Sequence, residues 1–90
     1  CWGIQVASVA AGGDVRRNPK GREIGFAREI APTEAGRGHP LLEGRPDAFT
    51  APAIHLDAVT TAPPGATVLA GNALSDVQAA EIAHAGGLFW

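Results

Sequence analysis

One cysteine in 90 residues leaves no partner for an internal disulfide, and no Cys/His spacing suits a zinc site. The simplest compartment for such a chain is a reducing cytoplasm. Charge of one sign is lacking too. Seven basic and nine acidic residues give a formal charge of -2, which leaves no electrostatic footprint for nucleic acid or for an anionic membrane. No apolar run approaches the ~20 residues a membrane span needs, and no signal peptide is visible. Repeats and low-complexity tails are missing, and no cofactor is expected. What remains is one small domain with a thin margin of stability, since a chain this short buries only somewhat over ~60% of its unfolded surface. Val, Ile, Leu, Phe and Trp are spread throughout, which excludes a disordered composition.

The spacing predicts a helix over Trp2 to Ala11, with Trp2, Val6, Val9 and Ala10 on one apolar face and Gly12-Gly13 as its stop. Asp14 to Arg17 reads as a short strand and Asn18-Pro19-Lys20-Gly21 as a turn. Glu23 to Ile30 reads as a strand with Ile24, Phe26 and Ile30 on the apolar side. Glu23, Gly25, Ala27 and Glu29 fall on a wet side that suits an antiparallel or edge position. Leu41 and Leu42 anchor a helical turn over Pro40 to Glu43, and Ala48 to Ile54 is a strand weakened by Pro52. After the Pro63-Pro64-Gly65 turn, Thr67 to Ala70 and Val77 to Ile82 read as paired strands. Leu88-Phe89-Trp90 follows the Gly86-Gly87 turn as the start of another. A chain that opens at a helix entry and stops inside an apolar strand is expected to have lost its neighbours. Its open sheet edges are expected to leave it marginally stable alone.

Cys1 stands directly before the helix. Unsatisfied N–H groups and the positive end of the helix dipole favour thiolate there, the reactive form. Gln5 lies one turn on, and helical side chains lean toward the N-terminus, so its amide is expected to point back toward the sulfur. Such a pair is half of a site for a polar substrate. The other reading is a small buried hydrophobe that happens to come first.

Cys1-Trp2-Gly3-Ile4-Gln5, followed by Gly12-Gly13-Asp14-Val15, resembles the nucleophile segment of class I glutamine amidotransferases, with its Cys-x-Gly-x-Gln elbow and later Gly-Gly-x-Val. Pro19 through Gly25 is similar to the family's Pro-x-x-x-Glu-x-Gly stretch. Ile54-His55-Leu56-Asp57-Ala58-Val59 resembles its Ser-His-x-Asp-x-Val segment, and the Pro-Pro-Gly turn with Val68-Leu69-Ala70 resembles members related to GMP synthase. The resemblance runs over essentially all 90 residues, in order.

It implies a flavodoxin-like (Rossmann-like) α/β fold with a central, largely parallel sheet. Residues 1–90 would be a partial glutamine amidotransferase domain: the nucleophile helix and a β-rich second half, ending before the family's His-x-Glu motif. Cys1 would be the nucleophile that forms a glutamyl thioester, and the Trp2 backbone N–H an oxyanion donor. Gln5 would contact the bound glutamine, and Ile54, His55, Leu56 and Asp57 would form the segment that holds its amino-acid end. Ammonia would pass to a synthetase or transferase partner. Two positions depart from the pattern: Ile54 stands where Ser or Asn is usual, and Leu56 where Gly is usual. A leucine there is expected to narrow the pocket or alter the substrate.

The base is expected outside these residues, so the chain alone is expected to be inactive. His39 and His84 are read as solvent-facing, His55 as part of the substrate segment, and Arg16, Arg17, Lys20, Arg22 and Arg28 as a solvated face. Two alternatives stand beside this reading. One is a related Cys hydrolase of γ-glutamyl compounds or peptides, and the other is a non-catalytic α/β domain that binds a partner through strand edges.

Overall fold

The opening segment is apolar nearly all round, so periodicity alone does not choose which stripe is buried. In the computed structural model, which describes residues 1–90, this segment is α1 (Trp2–Ala10). After it come β1 (Asp14–Arg17), β2 (Glu23–Pro32), a 3-10 turn (Pro40–Leu42), β3 (Phe49–His55) and β4 (Asp57–Thr61). β5 (Ala66–Gly71), β6 (Ala79–His84) and β7 (Gly87–Phe89) complete the chain. No helix is long and apolar enough to cross a membrane.

The predicted stripe of α1 is the outer one. Trp2 is 78% exposed, and Val6 and Val9 are exposed beside it. The inner stripe is Ile4, Ala7, Ser8 and Ala11, of which Ile4, Ala7 and Ala11 pack with Ala80 and Ile82 of β6. Small side chains let the helix axis approach the sheet closely, and the bulkier stripe is left outside. Gly12 ends the helix in a left-handed conformation, φ 101°, that glycine adopts without strain.

All strand pairings are antiparallel. β1 pairs with β4 in a two-stranded ribbon, and the other five form one sheet in the order β3-β2-β5-β6-β7. The β-rich second half is as expected, but no parallel sheet lies among the pairings of this chain. Parallel neighbours need a crossover of a dozen or more residues, whereas β6 and β7 are joined by Ala85 and Gly86 alone. Both of these turn residues have positive φ, 51° and 81°, as a tight hairpin matched to strand twist requires. β4 is a strand that sequence periodicity does not show; Ala58 and Val59 are its buried pair. β3 lies at the sheet edge, where Pro52 is tolerated.

The faces of β2 also differ from the alternation read in sequence. Ile24 and Phe26 are exposed, while Glu23, Ala27 and Ile30 are buried. Register runs from Ala27↔Ala51 to Ile30↔Phe49, one extra residue on β2, and Glu29 takes φ 54° within that irregularity. The extra residue brings Ile30 to the face of Ala27, so strict alternation fails. Ala27, Ile30, Ala53 and Ala70 form the larger core cluster, with Leu42 and Phe49 packed on it. Leu41 is exposed, so Leu42 is the anchor of the 3-10 turn.

The segment after β2 is pinned to β5. The Thr33 N–H donates to the Leu69 carbonyl at 2.8 Å and its hydroxyl to the Val68 carbonyl at 2.6 Å. Gly36 is buried there, and a Cβ would collide with the Leu69 carbonyl. Gly36→Ala is therefore expected to cost about 2 kcal/mol or more of stability. Gly3→Ala, with nothing near its added methyl in α1, is expected to raise stability by about 0.5–1 kcal/mol. Urea unfolding midpoints of the two variants measure the contrast.

Candidate active site

Cys1 is the N-cap of α1 and is exposed, which removes the reading of a buried inert thiol. No side chain caps the helix, so the first-turn N–H groups, that of Trp2 among them, have no intrahelical partner beside the sulfur. The Trp2 indole lies on the exposed stripe of α1.

Four of the sequence-predicted residues come together. Cys1, Gln5, His55 and Asp57 line one narrow cleft, which Ser75 and Gln78 also line. Gln5 Nε2 donates to the Asp57 carbonyl at 3.0 Å, and His55 Nδ1 meets the same oxygen at 2.8 Å. This contact ties the head of α1 to the link between β3 and β4. Ile54 and Leu56 are not among the cleft residues. They point to the other face of the chain and are 72% and 46% exposed, so the Leu56 side chain does not narrow the cleft. Alternation along β3 is the reason for Ile54, whose neighbour His55 turns inward; Leu56 lies at the bend between β3 and β4.

Sequence reasoning missed what stands behind His55. Alternation puts Glu23 on a wet face, yet its side chain is 2% exposed and that of His55 is 8% exposed. Glu23 Oε1 accepts from His55 Nε2 at 2.9 Å and from Gln78 Nε2 at 2.6 Å, and Oε2 accepts from Asn72 Nδ2 at 2.8 Å. Asn72 in turn builds the loop between β5 and β6, its Oδ1 accepting from the Leu74 and Ser75 N–H groups and from Gln78. Desolvation pushes the Glu23 carboxyl up, but hydrogen bonds from Asn72, Gln78 and His55 and the His55 charge outweigh it. They hold the carboxyl below the usual carboxylate range. Both His55 nitrogens lie within hydrogen-bond distance of oxygen, Nδ1 of the Asp57 carbonyl and Nε2 of Glu23 Oε1. The one sequence signal for this network is that Glu23 shares strand parity with Ala27.

His39 is a second correction. Its side chain is 13% exposed, not solvent-facing. Nδ1 accepts from the Leu41 N–H at 3.1 Å, and Nε2 donates to Glu81 Oε2 at 2.8 Å. Trp90 Nε1 donates to the same oxygen at 2.7 Å. The His39 hydrogen bond, then that of Trp90, hold the Glu81 carboxyl below its ordinary range. His84 is exposed, as expected. Arg16, Arg17, Lys20, Arg22 and Arg28 are all exposed; Arg16 is paired with Asp14 at 2.7 Å and Lys20 with Asp76 at 3.3 Å.

From Cys1 a second, wider groove runs under β2 and β3. Its volume is about 260 Å³, and Ala27, Leu42, Phe49, Ala51, Ala53 and Ala79 give it an apolar wall, with Arg45 among its residues. Cys1, His55 and Gln78 border both the groove and the cleft, so Cys1 stands at their junction.

No family model matches the chain. Individual proteins do. The chain is 42% identical over 93 aligned positions to a gamma-glutamyl-L-1-hydroxyisopropylamide hydrolase from a Pseudomonas species, across 100% of this chain and 31% of that protein. It is 35% identical to one subunit of the glutamine-hydrolysing GMP synthase of Methanoculleus marisnigri, over 88% of this chain and 40% of that one. The corresponding protein from Methanothrix thermoacetophila is 32% identical over 88% of this chain and 41% of its own length. The crystal structure of SMU.1228c superposes with a TM-score of 0.66 at 36% identity, over 78% of this chain and 29% of that one. The chain thus spans about a third to two fifths of the curated relatives it matches.

The Glu23 network has a pH signature. A carboxyl held below its unfolded value stabilises the fold fully above the unfolded range, ~4.3, and loses that contribution as pH falls through the lower folded value. Glu23→Gln is expected to cost about 3 kcal/mol near neutrality, because it breaks a buried charged pair. The gap from the wild type closes as pH falls below that range. Thermal midpoints of the two proteins from pH 7 down to pH 3 check both the size and the sign.

Proposed function

This chain belongs to the glutamine amidotransferase family, and on that premise we propose that Cys1 is the nucleophile of a glutamine-hydrolysing centre. The observation that carries this is the Gln5–Asp57 hydrogen bond, which sets a substrate-holding segment against the head of the nucleophile helix. The Cys1 thiolate attacks the side-chain amide carbon. The S–C bond forms, the C–N bond breaks, and ammonia leaves with a proton delivered by an acid–base group. Water then cleaves the thioester, releasing glutamate and restoring the thiol. The Trp2 N–H takes charge from the developing oxyanion. Gln5 and the main chain of Ile54, His55, Leu56 and Asp57 hold the glutamyl part.

The acid–base group comes from residues outside this chain; both nitrogens of His55 are turned to Glu23 and to the Asp57 carbonyl. In this reading residues 1–90 are part of a larger flavodoxin-like domain, whose parallel sheet covers the apolar outer stripe of α1. Two relatives are named as one subunit of a glutamine-hydrolysing GMP synthase, which supports a synthetase partner as the receiver of the ammonia.

The groove favours a second reading, hydrolysis of γ-glutamyl amides whose nitrogen carries a short apolar group. Ammonia needs no room on the leaving-group side of Cys1, whereas an alkylamine does, and a groove of about 260 Å³ with both apolar and polar lining begins at Cys1. The Pseudomonas relative is named for a γ-glutamyl amide whose nitrogen carries a short hydroxyisopropyl group.

In the longer protein, Cys1→Ala is expected to abolish release of glutamate from glutamine and from γ-glutamyl alkylamides alike. Ala51→Leu, which fills the groove, separates the two readings. It is expected to lower kcat/KM for a γ-glutamyl alkylamide roughly 10- to 100-fold with glutamine hydrolysis unchanged, if the groove takes the amine. An unchanged kcat/KM for the alkylamide in this variant would leave glutamine as the substrate. Coupled glutamate detection measures every rate.

A further inference from the structure

The Asp57 carbonyl receives two donors from different parts of the fold, Gln5 from α1 and His55 from β3. A carbonyl has two lone pairs, so the two bonds complete its acceptor capacity and fix its direction. The His55 ring bridges this carbonyl, 2.8 Å from Nδ1, and Glu23 Oε1, 2.9 Å from Nε2. Glu23 lies in the interior and is held by Asn72 and Gln78 as well as by the ring. Neither it nor His55 is needed as a base in the chemistry described above, yet a carboxylate is costly to bury without a use.

We propose that Glu23 is the positioning residue of the glutamyl cleft: its buried carboxylate holds the His55 ring by Nε2, and the ring, with Nδ1 2.8 Å from the Asp57 carbonyl, sets the place of the carbonyl that anchors Gln5. The inference rests on the functional reading above and deepens it by assigning the group that sets substrate affinity. With Gln in place of Glu23, the shape is kept but the charge is gone. One carboxylate oxygen becomes an NH2 that faces the Asn72 donor or the Gln78 and His55 donors, and the His55 ring loses its fixed partner. Gln5 loses the fixed carbonyl its amide is tied to, and the cleft loses its set width. Cys1 keeps its place over the helix dipole, so the chemical step itself is little changed.

The test uses the intact protein. Glu23→Gln is expected to raise KM for the hydrolysed γ-glutamyl substrate about tenfold, the worth of roughly one charge-assisted hydrogen bond, with kcat lowered less than about threefold. Alkylation of Cys1 by iodoacetamide is expected to keep its wild-type rate. Glu23→Asp, which keeps the charge on a shorter arm, is expected to recover part of the KM. An unchanged KM in Glu23→Gln, or a loss confined to kcat, overturns the proposal. Ring-nitrogen NMR of the wild type needs no variant and guards against misfolding of the substituted chains. A hydrogen bond from His55 Nε2–H to the Glu23 carboxylate supports the proposal, and an Nε2 without that bond overturns it. A wild type that hydrolyses neither glutamine nor γ-glutamyl amides overturns the functional reading instead, and the His55 spectrum still reports on the Glu23 contact.

Discussion

A carboxylate withdrawn from water must be met by donors, and the donors that meet Glu23 come from separate segments of the chain. β2 supplies the carboxylate, β3 the His55 ring, and the loop between β5 and β6 supplies Asn72 and Gln78. Through the Asp57 carbonyl the same network reaches Gln5 on α1. The hydrophobic core around it is built largely of alanines, which bury little area and offer little shape to specify one arrangement. Directional bonds to one buried charge supply the geometric definition that the small core side chains do not.

The site and the core are therefore not separable in this protein. The cleft and the groove meet at Cys1, and the walls of both are drawn from the strands that Glu23 organises. Ala53 faces the core and the groove, and His55, two residues on, faces the cleft, because successive inward positions of β3 lie on one face. Ile54 and Leu56 fall on the opposite face and are exposed. Neither side chain lines the cleft.

A second polar knot, His39 with Glu81 and Trp90, holds the loop before β3 against the last strands. It works in the same way as the first, one carboxylate oxygen meeting two N–H donors. It is also more open to solvent, with the Glu81 side chain 28% exposed against 2% for Glu23. The two knots thus differ in what they contribute: the buried one constrains geometry, and the outer one tethers a loop.

The elements that local chemistry dictates are legible from the residues: the helix stopped by Gly12-Gly13, the turns at Asn18 and at Pro63-Pro64-Gly65, the turn before the last strand, and the gathering of Cys1 and Gln5 one helical turn apart. Backbone freedom and side-chain period act over a few residues, so a sequence records them directly. The inner stripe of α1, the inward turn of Glu23, the burial of His39 and the antiparallel pairing throughout were decided by the tertiary structure. For Glu23 the deciding partners, His55 and Gln78, lie 32 and 55 residues away, and no local pattern holds that information. A lone glutamate on a strand looks solvated until the groups that neutralise it are brought beside it.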